Sequence, residues 1–219
     1  MIFENSQDTF EINLPENIKK VGMKISGGAD SAITCYMLAK YCKEERPDIT
    51  IYPITGIAEG KAYQEIFAKR VLSKIEELLD YKFGPHTAED VRADENYSDD
   101  QNIVVEGAYN KYGLDIHFAG ITANPYPHEA PELFDVPEGW LPSDDRSKSP
   151  NKKSHTEGRS IRPLINVDKR GVKEHYENLG VLDTLFPVTR SCEEYTEDFS
   201  KHCGWCWFCM ERKWGFGKL

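Results

Sequence analysis

The sequence opens on MIFENSQDTFEINLPENIKK, which has no apolar run of signal-peptide length, and nowhere are there about 18 consecutive apolar residues. That argues against a helical membrane span and gives the expectation of a cytoplasmic protein. Positive charge is also short, with 27 Lys and Arg against 37 Asp and Glu and a net charge of -10. Phosphate-backbone binding relies on clustered Lys and Arg, so a small molecule is the expected partner rather than nucleic acid. Neither G-x-x-x-x-G-K-[ST] nor G-x-G-x-x-G occurs, which removes the two best-known phosphate fingerprints. Cysteine is limited to six residues; in a reducing compartment these are metal ligands or core thiols sooner than disulfides. The 219 residues, 39% of them hydrophobic, suffice for one sizeable core or one domain with an appendage.

What is present centres on residues 21–39, VGMKISGGADSAITCYMLA. Val21, Met23 and Ile25 alternate with Gly22, Lys24 and Ser26 as a strand does. After Ser31, Ile33, Met37 and Tyr41 recur at helical spacing. The turn between them is Ser26-Gly27-Gly28-Ala29-Asp30-Ser31. Its glycines let backbone N–H groups approach a ligand, and the helix start adds unpaired amides, so the turn reads as an anion site. Asp30 would cap the helix or reach a magnesium ion carried by the anion.

Strand and helix alternate onward: a short strand or arm at 10–14, a strand at 49–57, and an amphipathic helix at 62–79 with Ile66, Val71, Ile75 and Leu78 inward. A third strand is expected at 81–83, an acidic connector at 88–100, a helix at 102–112 and a buried strand at 116–121. This implies an α/β doubly wound, Rossmann-like parallel sheet, with ligand at the carboxyl ends of the strands where chain order reverses. The turn at 26–31 and the loop Gly120-Ile121-Thr122-Ala123-Asn124 should meet there. Residues 125–159 are rich in proline and charge and read as a lid, a substrate loop or, first, a segment disordered in the free protein. A helix from Asp168 as N-cap to Leu179 follows. Cys35 and Cys42, seven apart on the first helix, read as buried apolar residues.

Near the end, Cys192, Cys203, Cys206 and Cys209 form C-x10-C-x2-C-x2-C. Four thiolates within eighteen residues suit a tetrahedral, structural Zn2+, with an iron–sulfur cluster as the rival and His202 as a possible substitute ligand. Trp205, Trp207, Phe208, Trp214 and Phe216 are expected to pack around this knob or at a subunit contact, which makes a homodimer reasonable. The division expected is a nucleotide domain at 1–185 and a zinc-binding subdomain at 186–219.

SGGADS matches the SGGxDS signature of the PP-loop ATP pyrophosphatases. Together with GITANP, the Arg162-Pro163-Leu164 to Lys169 segment, SCEEY and HCGWCWFCMER, the chain resembles the 7-cyano-7-deazaguanine synthases over residues 21 to about 214. The resemblance implies an adenine nucleotide alpha hydrolase-like fold and the cofactors ATP, Mg2+ and Zn2+. It further implies a ligase that adenylates a carboxylate of a deazaguanine-like molecule and, with ammonia, carries it through amide to nitrile. Ser26, Asp30 and Lys169 are then the catalytic candidates. Lys24, Ser26, Gly27, Gly28, Ala29, Asp30, Ser31, Gly120, Thr122, Asn124 and Arg162 become candidates for binding the nucleotide. The chain departs from the family after Asn124, reading Pro125-Tyr126-Pro127-His128-Glu129-Ala130 in place of an Asp-Tyr-Ser-Gly-Tyr-Pro-Asp-Cys type run. Alternatives are a PP-loop enzyme of tRNA base thiolation or amidation, and a catalytically inactive zinc-binding interaction protein.

Overall fold

The structure, a computed structural model, describes all residues except 60, 92–96, 137–145, 195, 197 and 198, and of 97–101 it describes the backbone alone. The chain begins with strands β1 (Ile2–Glu4) and β2 (Thr9–Glu11), followed by β3 (Lys20–Lys24), helix α1 (Ala29–Glu44), β4 (Thr50–Ala58) and α2 (Tyr63–Leu79). Next come β5 (Thr87–Val91), α3 (Tyr97–Tyr112), β6 (Ile116–Ala119) and a one-turn α4 (Pro131–Phe134). The last elements are β7 (Thr156–Glu157), β8 (Ser160–Ile161), α5 (Lys169–Asn178) and α6 (Trp207–Phe216).

Six strands form one sheet in the order β5-β4-β3-β6-β8-β7, all parallel except β7. From β3 the chain steps outward through α1 to β4 and through α2 to β5. It then returns through α3 to β6 on the other side of β3. Right-handed crossovers in opposite directions put their helices on opposite faces. Accordingly, α1, α2 and α5 share the main core with Val21, Met23, Ile51 and Phe118. α3 packs Val104, Val105 and Ala108 on Ile54, Val91 and Leu114 of the other face. Each fully buried aliphatic or aromatic side chain contributes about 1.5–3 kcal/mol by leaving water. The switch in direction falls between β3 and β6, so their carboxyl ends frame a crevice. No described helix is long and apolar enough to cross a membrane.

Several expectations need correcting. Residues 81–83 form no strand: Tyr81 and Phe83 pack edge to face, and the sheet is extended instead by Thr87–Val91, which overlaps the start of the acidic connector expected at 88–100. Thr87 and Val91 are the buried ends of that strand, and the two acids between them face outward. Helix α3 starts at Tyr97, five residues early, and Ile66 is exposed. The N-terminal strand gains an antiparallel partner, β1, and together they form a small hairpin.

The described parts of the long segment, 125–136 and 146–159, are packed rather than loose. Ala130, Leu133 and Phe134 lie against Trp207, Asn124 bridges Ser147, and Lys148 pairs with Asp168 at 2.6 Å. Cys35 and Cys42 are buried as expected, and burial pushes the Cys42 thiol up to about 12.

Two histidines, His175 buried and His117 half-buried, make stability pH-dependent. Burial, aided by the charges of Lys24 and Arg159, lowers His117 from 6.5 to about 4. Burial likewise lowers His175 to about 4 against the opposing pull of Glu174 and Asp8. The unfolded chain binds protons that the folded chain excludes, so stability is full above pH 6.5 and declines as the pH falls toward 4. Calorimetry should show a loss on the order of 5 kcal/mol over that interval, smaller in His117→Gln.

Candidate functional site

The turn after β3 is shaped by its own small residues. Gly27 has φ +79, a conformation favouring glycine, and a Cβ there would stand 2.4 Å from Phe67 Cβ. The Ser26 and Ser31 hydroxyls lie 3.2 Å apart, and Ser31 Oγ donates to the Gly28 carbonyl at 3.1 Å, closing the turn. Gly28 is the extended N-cap of α1 and has no side-chain cap. The first amides of this sixteen-residue helix thus face the turn.

The loop after β6 closes on the turn from the other side of the crevice. A Cβ at Gly120 would lie 2.7 Å from backbone atoms of Asp30 and Ser31, so only glycine permits this approach. Thr122, two residues on, is buried, and its hydroxyl is 3.4 Å from Asp30 Oδ2.

The third contribution comes from α5. Asp168 is its N-cap, accepting from the Arg170 and Gly171 amides. Burial alone would raise the Asp168 carboxyl. Hydrogen bonds from Gln7 and Lys148 outweigh that and hold it below the usual carboxylate range. The cap fixes the first helical residue, Lys169, whose ammonium reaches Asp30 Oδ2 and lies 3.4 Å from Thr122 Oγ1. Asp30 Oδ1 is buried without a hydrogen-bond partner among the described residues. Such a carboxylate oxygen, beside helix-start amides and a buried ammonium, suits a divalent cation carried on a phosphate.

Ser26, Gly28, Ala29, Asp30, Ser31, Gly120 and Lys169 line one cavity of about 140 Å3. Gly27 shapes its turn, and Thr122 holds Lys169 and Asp30 from behind. Three other candidates stand apart from the lining. Lys24 lies on β3 beside His117, Arg162 pairs with Glu157 at 2.6 Å, and Asn124 is buried in the bridge to Ser147.

The far wall is one that sequence reasoning did not assign to this site: Tyr63 and Gln64 from the start of α2, and Arg190, Ser191, Glu193 and Phe208 from the cysteine tail. The Arg190 amide donates to the Gly27 carbonyl at 2.8 Å, fastening the tail to the turn. Its guanidinium lies 5.0 Å from the Tyr63 ring centre and donates to the carbonyls of Phe199, Lys201 and Glu194. Arg146, grouped by sequence with a solvated charge run, donates to both oxygens of Thr122 and pairs with Glu211 at 3.2 Å.

Cys192, Cys203, Cys206 and Cys209 place their four sulfurs within 4.8 Å of one another, able to hold a metal ion. The Cys203 amide donates to Cys192 Sγ at 3.4 Å and the Cys206 amide to Cys203 Sγ at 3.3 Å, which orients both sulfurs. His202 is not in the set; its Nε2 accepts from the Ser191 amide. Among the tail aromatics, Trp207 packs on Phe134 and Phe216 stacks on Phe186 in the main core, while Trp205 is exposed.

No family model matches the chain, and no curated protein does. Among solved structures it is similar to the U34-tRNA thiolase NcsA from Methanococcus maripaludis with its [4Fe-4S] cluster, at 17% identity and a TM-score of 0.48, covering 92% of this chain and 70% of that one. It is similar also to NAD+ synthetase from Burkholderia pseudomallei, at 14% identity and a TM-score of 0.44, covering 92% of this chain and 75% of the other.

Proposed function

We propose that the chain is a PP-loop ATP pyrophosphatase that activates the carboxylate of a deazaguanine-like small molecule as an adenylate. The observation carrying this reading is the meeting of the SGGADS turn, Gly120 and Lys169 around Asp30 at the switch point of the sheet. A carboxylate oxygen of the substrate attacks the α-phosphorus, and the bond to the bridging oxygen breaks with its electron pair leaving on pyrophosphate. Turn amides and Lys169 hold the charge that develops there, without having to reorganise. Asp30, through its unpartnered oxygen, would hold Mg2+, which supplies further charge neutralisation when bound. Ammonia then displaces AMP to give the amide. A second activation at the amide oxygen, followed by loss of AMP and two protons, gives the nitrile.

We assign the acceptor to a cavity of its own. A second cavity, of about 270 Å3, is lined by Ala123, Tyr126, Lys148, Lys152, Asn166 and Gln7 among others. Gly120 lines the first cavity and Ala123 the second, three positions apart in the loop after β6. The size is just below the range usual for small-molecule sites, and an aromatic face with ammonium groups suits a flat anionic ring.

For the cysteine centre, a single tetrahedral Zn2+ is the reading we favour over a cluster. Zn–S bonds of about 2.3 Å place thiolates somewhat under 4 Å apart. Cys203 and Cys209 Sγ are 3.8 Å apart, a spacing that supports one ion. With four protein ligands the ion has no open position and is structural.

The test is incubation with ATP, Mg2+, ammonium and 7-carboxy-7-deazaguanine, with mass spectrometry of the heterocycle. Conversion to amide or nitrile supports the reading. Intact ATP beside an unchanged acid would move the substrate to another carboxylate, and a chain that also binds neither ATP nor pyrophosphate would defeat the nucleotide reading.

A further inference from the structure

Glu211 has no role in the reading so far, yet it is completely buried, and a buried carboxylate must be paired to be tolerated. One of its partners, Lys169, lines the nucleotide cavity, and the other, Arg146, is bonded to Thr122 behind it. Lys169 Nζ lies 3.3 Å from Oε2, and Arg146 Nη2 lies 3.2 Å from Oε1. Each cation has a second anchor at the Thr122 hydroxyl. The carboxylate is therefore the common brace of two cations that would otherwise repel one another.

The helix carrying Glu211 is pressed against Lys169 by backbone shape as well as by charge. Gly215 stands one turn beyond Glu211 on the same face of α6. A Cβ at Gly215 would sit 2.2 Å from Lys169 Cβ and 2.7 Å from Lys169 C, so α6 reaches this depth only with glycine there. The neighbouring Arg212 secures the helix from another side, donating to Thr189 Oγ1 at 2.8 Å and to Ser191 Oγ at 3.1 Å. Cys206 and Cys209 fix the start of the same helix. Trp207 and Trp214 complete the support by packing toward Phe134 and its neighbours.

We infer that Glu211 is a positioning residue. It holds the Lys169 ammonium, with Arg146 behind it, at the place where the leaving phosphate charge develops, and Gly215 is the backbone condition for that hold. The inference rests on the reading of Lys169 as the cation that meets pyrophosphate. Without Glu211, the Lys169 ammonium retains Asp30 and Thr122 alone, and its contact with the carboxylate that must serve the metal-bound nucleotide is no longer opposed. The loss should then appear in turnover more than in ground-state binding.

The experiment compares the full metal-loaded chain with Glu211→Gln, Glu211→Asp and Gly215→Ala. It measures kcat and KM for AMP formation, pyrophosphate affinity by calorimetry, and metal content. Glu211→Gln should lower kcat about 10- to 100-fold with KM for ATP within about threefold, and should weaken pyrophosphate binding. Glu211→Asp, which keeps the charge, should recover part of kcat. Gly215→Ala keeps every charge and should lose turnover like Glu211→Gln. In a Lys169→Met background the Glu211→Gln change should have almost no further effect.

Wild-type turnover in Glu211→Gln overturns the inference, as does an equal loss with and without Lys169. Tighter pyrophosphate binding would also overturn it, because it would show the carboxylate to be only a neutralising charge. If Glu211→Gln does not fold, Glu211→Asp and Gly215→Ala decide by the same readouts. A wild-type chain that forms no AMP and binds no pyrophosphate fails earlier, at the nucleotide reading, and takes this inference with it.

Discussion

Stripping the metal from the four-cysteine centre should weaken ATP binding at least about tenfold, although no cysteine touches the nucleotide cavity. The structural reason is continuity of chain. Ser191 and Glu193 flank Cys192, Phe208 precedes Cys209, and all three line that cavity. The Arg190 amide is bonded to Gly27 in the phosphate turn, and its guanidinium gathers three carbonyls from 194–201. A structural zinc site contributes about 10–16 kcal/mol of binding free energy, which in a short tail is folding free energy. Removing it frees 191–209 and with it one wall of the site. Calorimetric titration of ATP into chelator-treated protein, beside a zinc-restored sample, checks this. Unchanged affinity in the metal-free chain would show that the wall stands without metal. The sheet should persist, because its core is formed by α1, α2 and the parallel strands.

Replacing Lys169 by Met should lower AMP formation by about 10^2- to 10^3-fold, equivalent to roughly 3–4 kcal/mol of transition-state stabilisation. Lys169 is 3% exposed, and its ammonium faces Asp30, Thr122 and Glu211. That placement is costly unless the cation is used, since a lysine in a first helical turn is disfavoured by the helix dipole. Met keeps the stem and removes only the charge, so packing against Gly215 is retained. Single-turnover quenched-flow measurement of AMP at saturating ATP separates chemistry from binding. Turnover within about threefold of wild type would remove Lys169 from the chemistry.

Much of this arrangement was legible from local pattern. Strand β3, the glycine turn and α1 follow from an alternation that changes period at Ser31, and the switch point follows from strand–helix alternation. The Asp168 cap was legible for the same reason: it is a residue type at a helix start. What escaped depends on contacts distant in sequence. Nothing near Thr87 or Val91 announces a strand, because β5 is an edge strand with only its ends buried and its stability comes from pairing with β4. Tyr81 and Phe83 carry the stronger strand propensity and spend it packing on each other. Arg146 and Lys148 look like solvated charge because their partners, Glu211 and Asp168, are supplied by α6 and the start of α5. The hairpin turn at Asn5–Asp8 escaped similarly: Gln7 exchanges two hydrogen bonds with Asp168, 161 positions away. Glu211 stands two positions after Cys209, and nothing local marks its role, because its partners Lys169 and Arg146 lie far back in the sequence.

The turn at 26–31, with Asp30 and Lys169, should direct cleavage between the α and β phosphates. Phosphorus-31 NMR of ATP turned over by the magnesium-loaded protein with acceptor and ammonium reads this directly. AMP and pyrophosphate are expected in equal amounts, with both lost in Asp30→Asn. ADP and inorganic phosphate as the primary products would contradict it.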